Sequence, residues 1–166
     1  MSIVRIKLKA FFLVLGTFYF ALLFTSLQNY SFAGASIPPD VKTFSIQYFP
    51  SRAAIVQPAL SQVFTQKLKD KFLSTTNLSP LQANGDLQFE GYISDYSIAP
   101  TAIQSGSDQA ALNRLTIAVS VKFTSSKDPK QNFETTFSRF ADYSSSKTLP
   151  EVETNLIADI STQLVE

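Results

Sequence analysis

From Val41 onward, hydrophobic positions recur first at two, then at three and four, then at two again. Val41 to Phe49 alternates, with Phe44, Ile46 and Tyr48 on one side and Ser45 and Gln47 on the other, which predicts a strand ended by Pro50. Pro58 suits the first turn of a helix, and Leu60, Val63, Phe64, Leu68 and Phe72 then share one stripe, predicting a helix from Pro58 to Ser74. Asn77 to Asn84 reads as a loop, closed by the turn pair Asn84-Gly85. Asp86 to Ile98 alternates again, with Leu87, Phe89, Gly91 and Ile93 against Gln88, Glu90, Tyr92 and Ser94. A third strand carries Leu115, Ile117, Val119, Val121 and Phe123 on one face. A fourth, Asn132 to Tyr143, sets Phe133 and Phe137 against Phe140. Pro100 to Asn113 is polar and non-periodic, a loop long enough to be functional or mobile. Ser125 to Gln131 turns around Asp128-Pro129. Thr148 and Glu151 have capping-box spacing, and Val152, Leu156, Ile160 and Leu164 line a closing helix. That helix runs to Glu166 without a Gly or Asn cap, as expected of a sequence lacking a short tail.

The order β-α-β-β-β-α predicts an α+β, two-layer sandwich: a four-stranded mixed sheet with two helices on one face. The last three strands are expected to form an antiparallel meander. The first joins in parallel through a right-handed helical crossover.

Residues 1–27 are a different kind of sequence. Arg5, Lys7 and Lys9 precede an uncharged run of 18 residues, Ala10 to Leu27. A basic start before an apolar run is an export signal. Its length falls between the ~7–15 residues of a cleaved signal and the ~20 of a membrane span, so it reads as a signal peptide or a retained anchor helix. The expected organisation is 1–27 signal or anchor, 28–40 linker and 41–166 folded domain.

Charge and composition then narrow the chemistry. Arg5, Lys7 and Lys9 are three of the 14 basic side chains, and none of the 13 acidic ones lies before residue 28, leaving 11 against 13, net −2, in the exported part. A chain so close to neutral gives no basis for a nucleic-acid partner. The chain has no histidine and no cysteine. Ser-His-Asp and Cys-His nucleophiles, the usual zinc sites and disulfides are therefore excluded. Asp86 and Glu90 share a strand face and Asp95 is expected on the other. A solvated face explains them better than a glycosidase-type pair. No acidic cluster or Gly-rich phosphate loop is present, so neither metal nor cofactor is expected. Asn29-Tyr30-Ser31 and Asn77-Leu78-Ser79 match the glycosylation sequon, a pattern common by chance. Arg114, Lys122 and Arg139 are candidates for an anionic lipid head group, weighed against ordinary surface charge. Tyr92, Tyr96 and Phe140 are expected on the face left open by the helices, as a partner surface.

The segment Tyr30 to Phe49, YSFAGASIPPDVKTFSIQYF, resembles the start of the mature region in a divergent branch of the lipopolysaccharide-assembly lipoprotein family LptE. GDLQFEGYISDYSIAP and NRLTIAVSVKFTSSKDPKQNFETTFSRFADY also resemble that branch. The resemblance implies a non-enzymatic protein at the periplasmic face of the outer membrane. Such a protein sits inside or against the β-barrel LptD and helps place lipopolysaccharide in the outer leaflet. It also implies a four-stranded sheet with two helices. The family carries a lipidated cysteine just before this segment, where Ser26-Leu27-Gln28-Asn29 stands here, so no thioether lipid can be attached near Gln28. The chain is then expected to keep residues 1–27 as an inner-membrane anchor, to be cleaved near Ala33-Gly34-Ala35, or to be held by barrel contact alone. The alternative is a stand-alone periplasmic or membrane-anchored binding module that has lost the pathway.

Overall fold

In a computed structural model, residues 37–101 and 111–166 are described. The predicted signal or anchor, most of the linker, Gln28, the Asn29 sequon and most of the Pro100–Asn113 loop lie outside the described residues.

β1 (Thr43–Ile46) is shorter than the alternation suggests, but its extended backbone runs on beside the next central strand. Gln47 N–H donates to Phe89 O (2.9 Å), Ile93 N–H to Pro50 O (2.9 Å) and Arg52 N–H to Ile93 O (2.8 Å). Pro50 is tolerated there because its carbonyl, not its missing N–H, makes the bond. α1 (Pro58–Thr75) starts on Gln57, whose side chain accepts from Ala59 N–H, and buries Leu60, Phe64 and Phe72.

The Asn77–Asn84 segment expected to be a loop contains β2 (Ser79–Leu81), so the sheet has five strands rather than four. Three exposed residues including Pro80 carry no period-two signal. Pairing with β1 makes the strand, not its own pattern. The remaining elements are β3 (Leu87–Pro100), β4 (Leu112–Ser125), β5 (Phe133–Ser144) and α2 (Leu149–Val165). The strand order is β2-β1-β3-β4-β5. β1 is parallel to both β2 and β3, and β3-β4-β5 is the expected antiparallel meander. At the start of α2, the Glu151 carboxylate accepts the Thr148 N–H (2.6 Å) and hydroxyl (2.8 Å), as the capping-box spacing requires.

After β2 the chain crosses β1 to reach β3 in five residues. Asn84 has φ 57°, and a Cβ at Gly85 would lie 2.5 Å from the Phe44 carbonyl carbon, so the crossing depends on glycine. Asp86 then clasps the start of β1. Its Oδ2 accepts Lys42 N–H (2.9 Å), Thr43 N–H (3.1 Å) and the Thr43 hydroxyl (3.0 Å). The Lys42 N–H first, then the Thr43 hydroxyl, hold this carboxyl down at about 2. A depressed carboxyl contributes stability that is complete above its unfolded value, near 4, and is lost as pH falls toward 2. Urea midpoints of the wild type should therefore fall over that window, and those of Asp86→Asn should start lower and fall less. Equal pH slopes in the two proteins would remove Asp86 from the account.

The core is an aromatic row across the sheet. Phe44 meets Phe72 of α1 at 5.3 Å between ring centroids. Phe72 meets Phe89, Phe89 meets Phe123 and Phe123 meets Phe133, at 4.7, 4.9 and 5.3 Å. Phe137 closes the row, 6.5 Å from Phe133. Phe89 and Tyr96 point to the same side of β3. Phe72 of α1 reaches the first and Glu153 of α2 hydrogen-bonds the second, so both helices cover that face.

Candidate interaction surface

A break in the alternation of β3 decides which side chains reach the open face. The β3–β4 register shifts between Ile93 and Asp95, leaving Ser94 as an extra residue. Such a bulge reverses the inside-outside sense of everything after it. Tyr96 therefore does not join Tyr92 on the open face, as expected from simple alternation. It is buried on the helix side, its hydroxyl donating to Glu153. Burial, then that hydrogen bond, pushes its phenol up. Asp95 moves the other way, to the face of Glu90.

Tyr92 and Phe140 do stand on the open face, and each is stacked by an arginine. The Arg52 guanidinium lies 4.2 Å from the Tyr92 ring centre and the Arg114 guanidinium 3.6 Å from that of Phe140. Arg114 is also held in a fork by Asp142, Nε to Oδ1 at 2.7 Å and Nη2 to Oδ2 at 2.9 Å. That contact lowers the Asp142 carboxyl and raises Arg114. Between the two aromatic posts, β4 and β5 present small side chains: Thr116, Ala118 and Ser120 opposite Phe140, Ser138 and Thr136. The open face is a low polar floor with Tyr92 and Phe140 at opposite corners.

The three basic candidates are not brought together. Lys122 lies opposite Glu90 and Glu134 and reaches the Glu90 carboxylate at 3.6 Å. Arg114 is on the same face and strand but eight positions away, about 27 Å at strand rise. Arg139 sits opposite Ile117, on the helix-side face, and donates to the Ser138 carbonyl at 2.9 Å. The acidic candidates are likewise engaged or separated: Asp86 clasps β1 and Glu90 pairs with Lys122. Among the described residues no group of acidic side chains could hold a metal ion, and no helix is long and apolar enough to cross a membrane.

The LptE family model, for lipopolysaccharide assembly, matches residues 41–166. The chain belongs to the LptE family. No curated protein matches it in sequence. Among solved structures, a minor lipoprotein from Acinetobacter baumannii is 14% identical, with a TM-score of 0.48, covering 75% of this chain and 87% of that one. A hypothetical protein from Chlamydia trachomatis is 8% identical, TM-score 0.49, covering 75% and 91%. The rare lipoprotein B of Shewanella oneidensis is 12% identical, TM-score 0.42, covering 73% and 87%. Membership of the LptE family points this chain to lipopolysaccharide assembly.

Three features of this LptE-family surface escape a reading by element. Asp142 becomes the partner of Arg114 only through the β4–β5 register. Arg52 reaches Tyr92 only because the chain continues beside β3 after Pro50. Phe137, at 40% exposure, is where the core's aromatic row comes out at the sheet edge.

Proposed function

We propose that this LptE-family chain is a non-enzymatic assembly factor at the periplasmic face of the outer membrane. It partners the LptD β-barrel in moving lipopolysaccharide into the outer leaflet. The observation that carries this reading is the family match over residues 41–166, which spans every described strand and helix. In this reading residues 1–27 export or anchor the chain, 28–40 are a linker, and 41–166 act. The open sheet face meets the partner through Tyr92 and Phe140, and lipid phosphates, where contacted, meet Arg114 and Lys122, with Arg139 reached from the other side.

A tagged chain recovered from detergent-solubilised outer membrane should bring down a large β-barrel. Replacing Tyr92 and Phe140 together by Ala should cut that recovery roughly tenfold, as loss of aromatic anchors does, while leaving the fold intact. A barrel never recovered with the wild-type chain refutes the reading. The absence of cysteine favours a second reading, a stand-alone binding module that has lost the pathway. A chain fractionating away from the outer membrane, with residues 1–27 either retained or removed in the intact mass, would select it.

A further inference from the structure

The connection from β1 to α1 turns in the open. Ala53 is buried, but Ala54, Ile55 and Val56 are exposed, and so are Pro58 and Ala59 in the first turn of α1. Val56 is 62% exposed and Ile55 52%, and among the described residues no large hydrophobic side chain is more exposed than Val56. Single exposed aliphatics need no explanation, but an adjacent pair on an apolar loop does. The fold holds the pair out. On one side Arg52 N–H donates to Ile93 O at 2.8 Å. On the other Gln57 caps α1, its carbonyl accepting Leu60 N–H at 3.1 Å and its side chain accepting Ala59 N–H at 3.3 Å. Only Ala53 to Val56 lie between these anchors, and Ala53 takes the buried place.

Charge around the loop selects its occupant. No charged residue occurs from Ala53 to Gln66. β1 and β3 are parallel, so the end of β3 lies at the same end of the sheet, and Tyr96 to Pro100 carry no charge either. Asp95 precedes them, its carboxylate accepting the Ser97 hydroxyl at 2.7 Å. The first charge behind the loop is a cation, Arg52, exposed and 4.2 Å from the Tyr92 ring centre. Aliphatic side chains at the tip, then an arginine and a tyrosine, match the order of a bilayer surface: acyl chains, then phosphates, with tyrosine favoured at the boundary. A protein pocket for two aliphatic side chains has no need of the cation and phenol behind them. Residues 1–27 also read as an export signal or anchor, which brings the chain to a bilayer. We propose that Ala53–Val56 is a lipid-contacting tip: Ile55 and Val56 enter the acyl boundary of a bilayer, and Arg52 meets lipid phosphate behind them. A loop cannot enter hydrocarbon with its peptide groups unpaired, so the side chains pass and the backbone stays among the head groups. The contact needs no barrel partner, so its failure leaves the assembly-factor reading standing.

The chain has no tryptophan, so one introduced reports alone. The full chain carrying Val56→Trp is reconstituted into vesicles of phosphatidylethanolamine and phosphatidylglycerol, with and without lipid brominated near the top of the acyl chain. Gln131→Trp is the control, exposed in the turn after β4 at the other end of the sheet. Val56→Trp should emit to the blue of Gln131→Trp, and brominated lipid should remove roughly half of its emission and none of the control's. Adding Ile55→Asp should abolish the quenching with unchanged circular dichroism, because a carboxylate at the tip resists dehydration. Arg52→Gln should lessen it, most at low salt. Equal emission and quenching at the two reporters overturn the proposal. Quenching that survives Ile55→Asp belongs to the tryptophan itself and overturns it, as does quenching indifferent to Arg52→Gln at low salt. A blue shift found only when a barrel co-purifies, without quenching by lipid, also overturns it and gives the tip to a protein pocket.

Discussion

Gly91→Ala should lower the stability of the folded unit by about 3 kcal/mol, at the upper end of what overpacking by one methyl costs. Gly91 lies in the middle of β3, opposite Val121. A Cβ built there would stand 2.1 Å from the Ser120 carbonyl oxygen and 2.6 Å from the Phe49 ring. Neither neighbour can give way cheaply. Ser120 O belongs to the backbone of the central ladder. Phe49 is fully buried, packed edge-on against Phe64 at 5.1 Å, with its N–H bonded to the Thr65 hydroxyl at 3.1 Å. The melting midpoint of the full chain, followed by circular dichroism in fixed detergent, should fall on the order of 10 °C. Phe49→Leu in the Gly91→Ala background separates the two contacts. Partial recovery assigns the cost to the ring, and no recovery assigns it to the carbonyl. A loss below about 1 kcal/mol would mean that Phe49 can move aside, contrary to its burial.

Gly91 also marks how far the fold was legible from the sequence. Period-two alternation placed Phe133 and Phe137 opposite Phe140 because β5 keeps one register from end to end. The same rule misplaced Tyr96 and Asp95, because β3 gains Ser94 with no Gly or Pro to announce the bulge. Capping and turn chemistry are local, so Thr148 with Glu151 and Asn84-Gly85 were readable from spacing. β2 was not, since Ser79–Leu81 becomes a strand only when β1 supplies its bonds. The surface was the least legible part. Arg114 was visible as a cation, but its carboxylate lies 28 residues away on the neighbouring strand, and that pairing turns a lone charge into a fixed fork over Phe140. Arg114, Lys122 and Arg139 are head-group candidates by residue type, and the β4–β5 register distributes them over two faces.

Phe89→Ala should cost about 4 kcal/mol, whereas Phe137→Ala should cost less than about 1. The two rings belong to one row but not to one environment. Phe89 is buried between Phe72 of α1 and Phe123 of β4, so truncation opens a cavity under the helix and breaks two ring contacts. Phe137 stands at the end of the row, beside Phe133 and opposite Val119, and is exposed. The surrounding structure can therefore collapse or hydrate around a shortened side chain there. Chemical denaturation of both variants measures the difference. A stability-neutral Phe137 means that this exposed ring adds little to folding. Phe137→Ala costing as much as Phe89→Ala would instead place the terminal ring in the core.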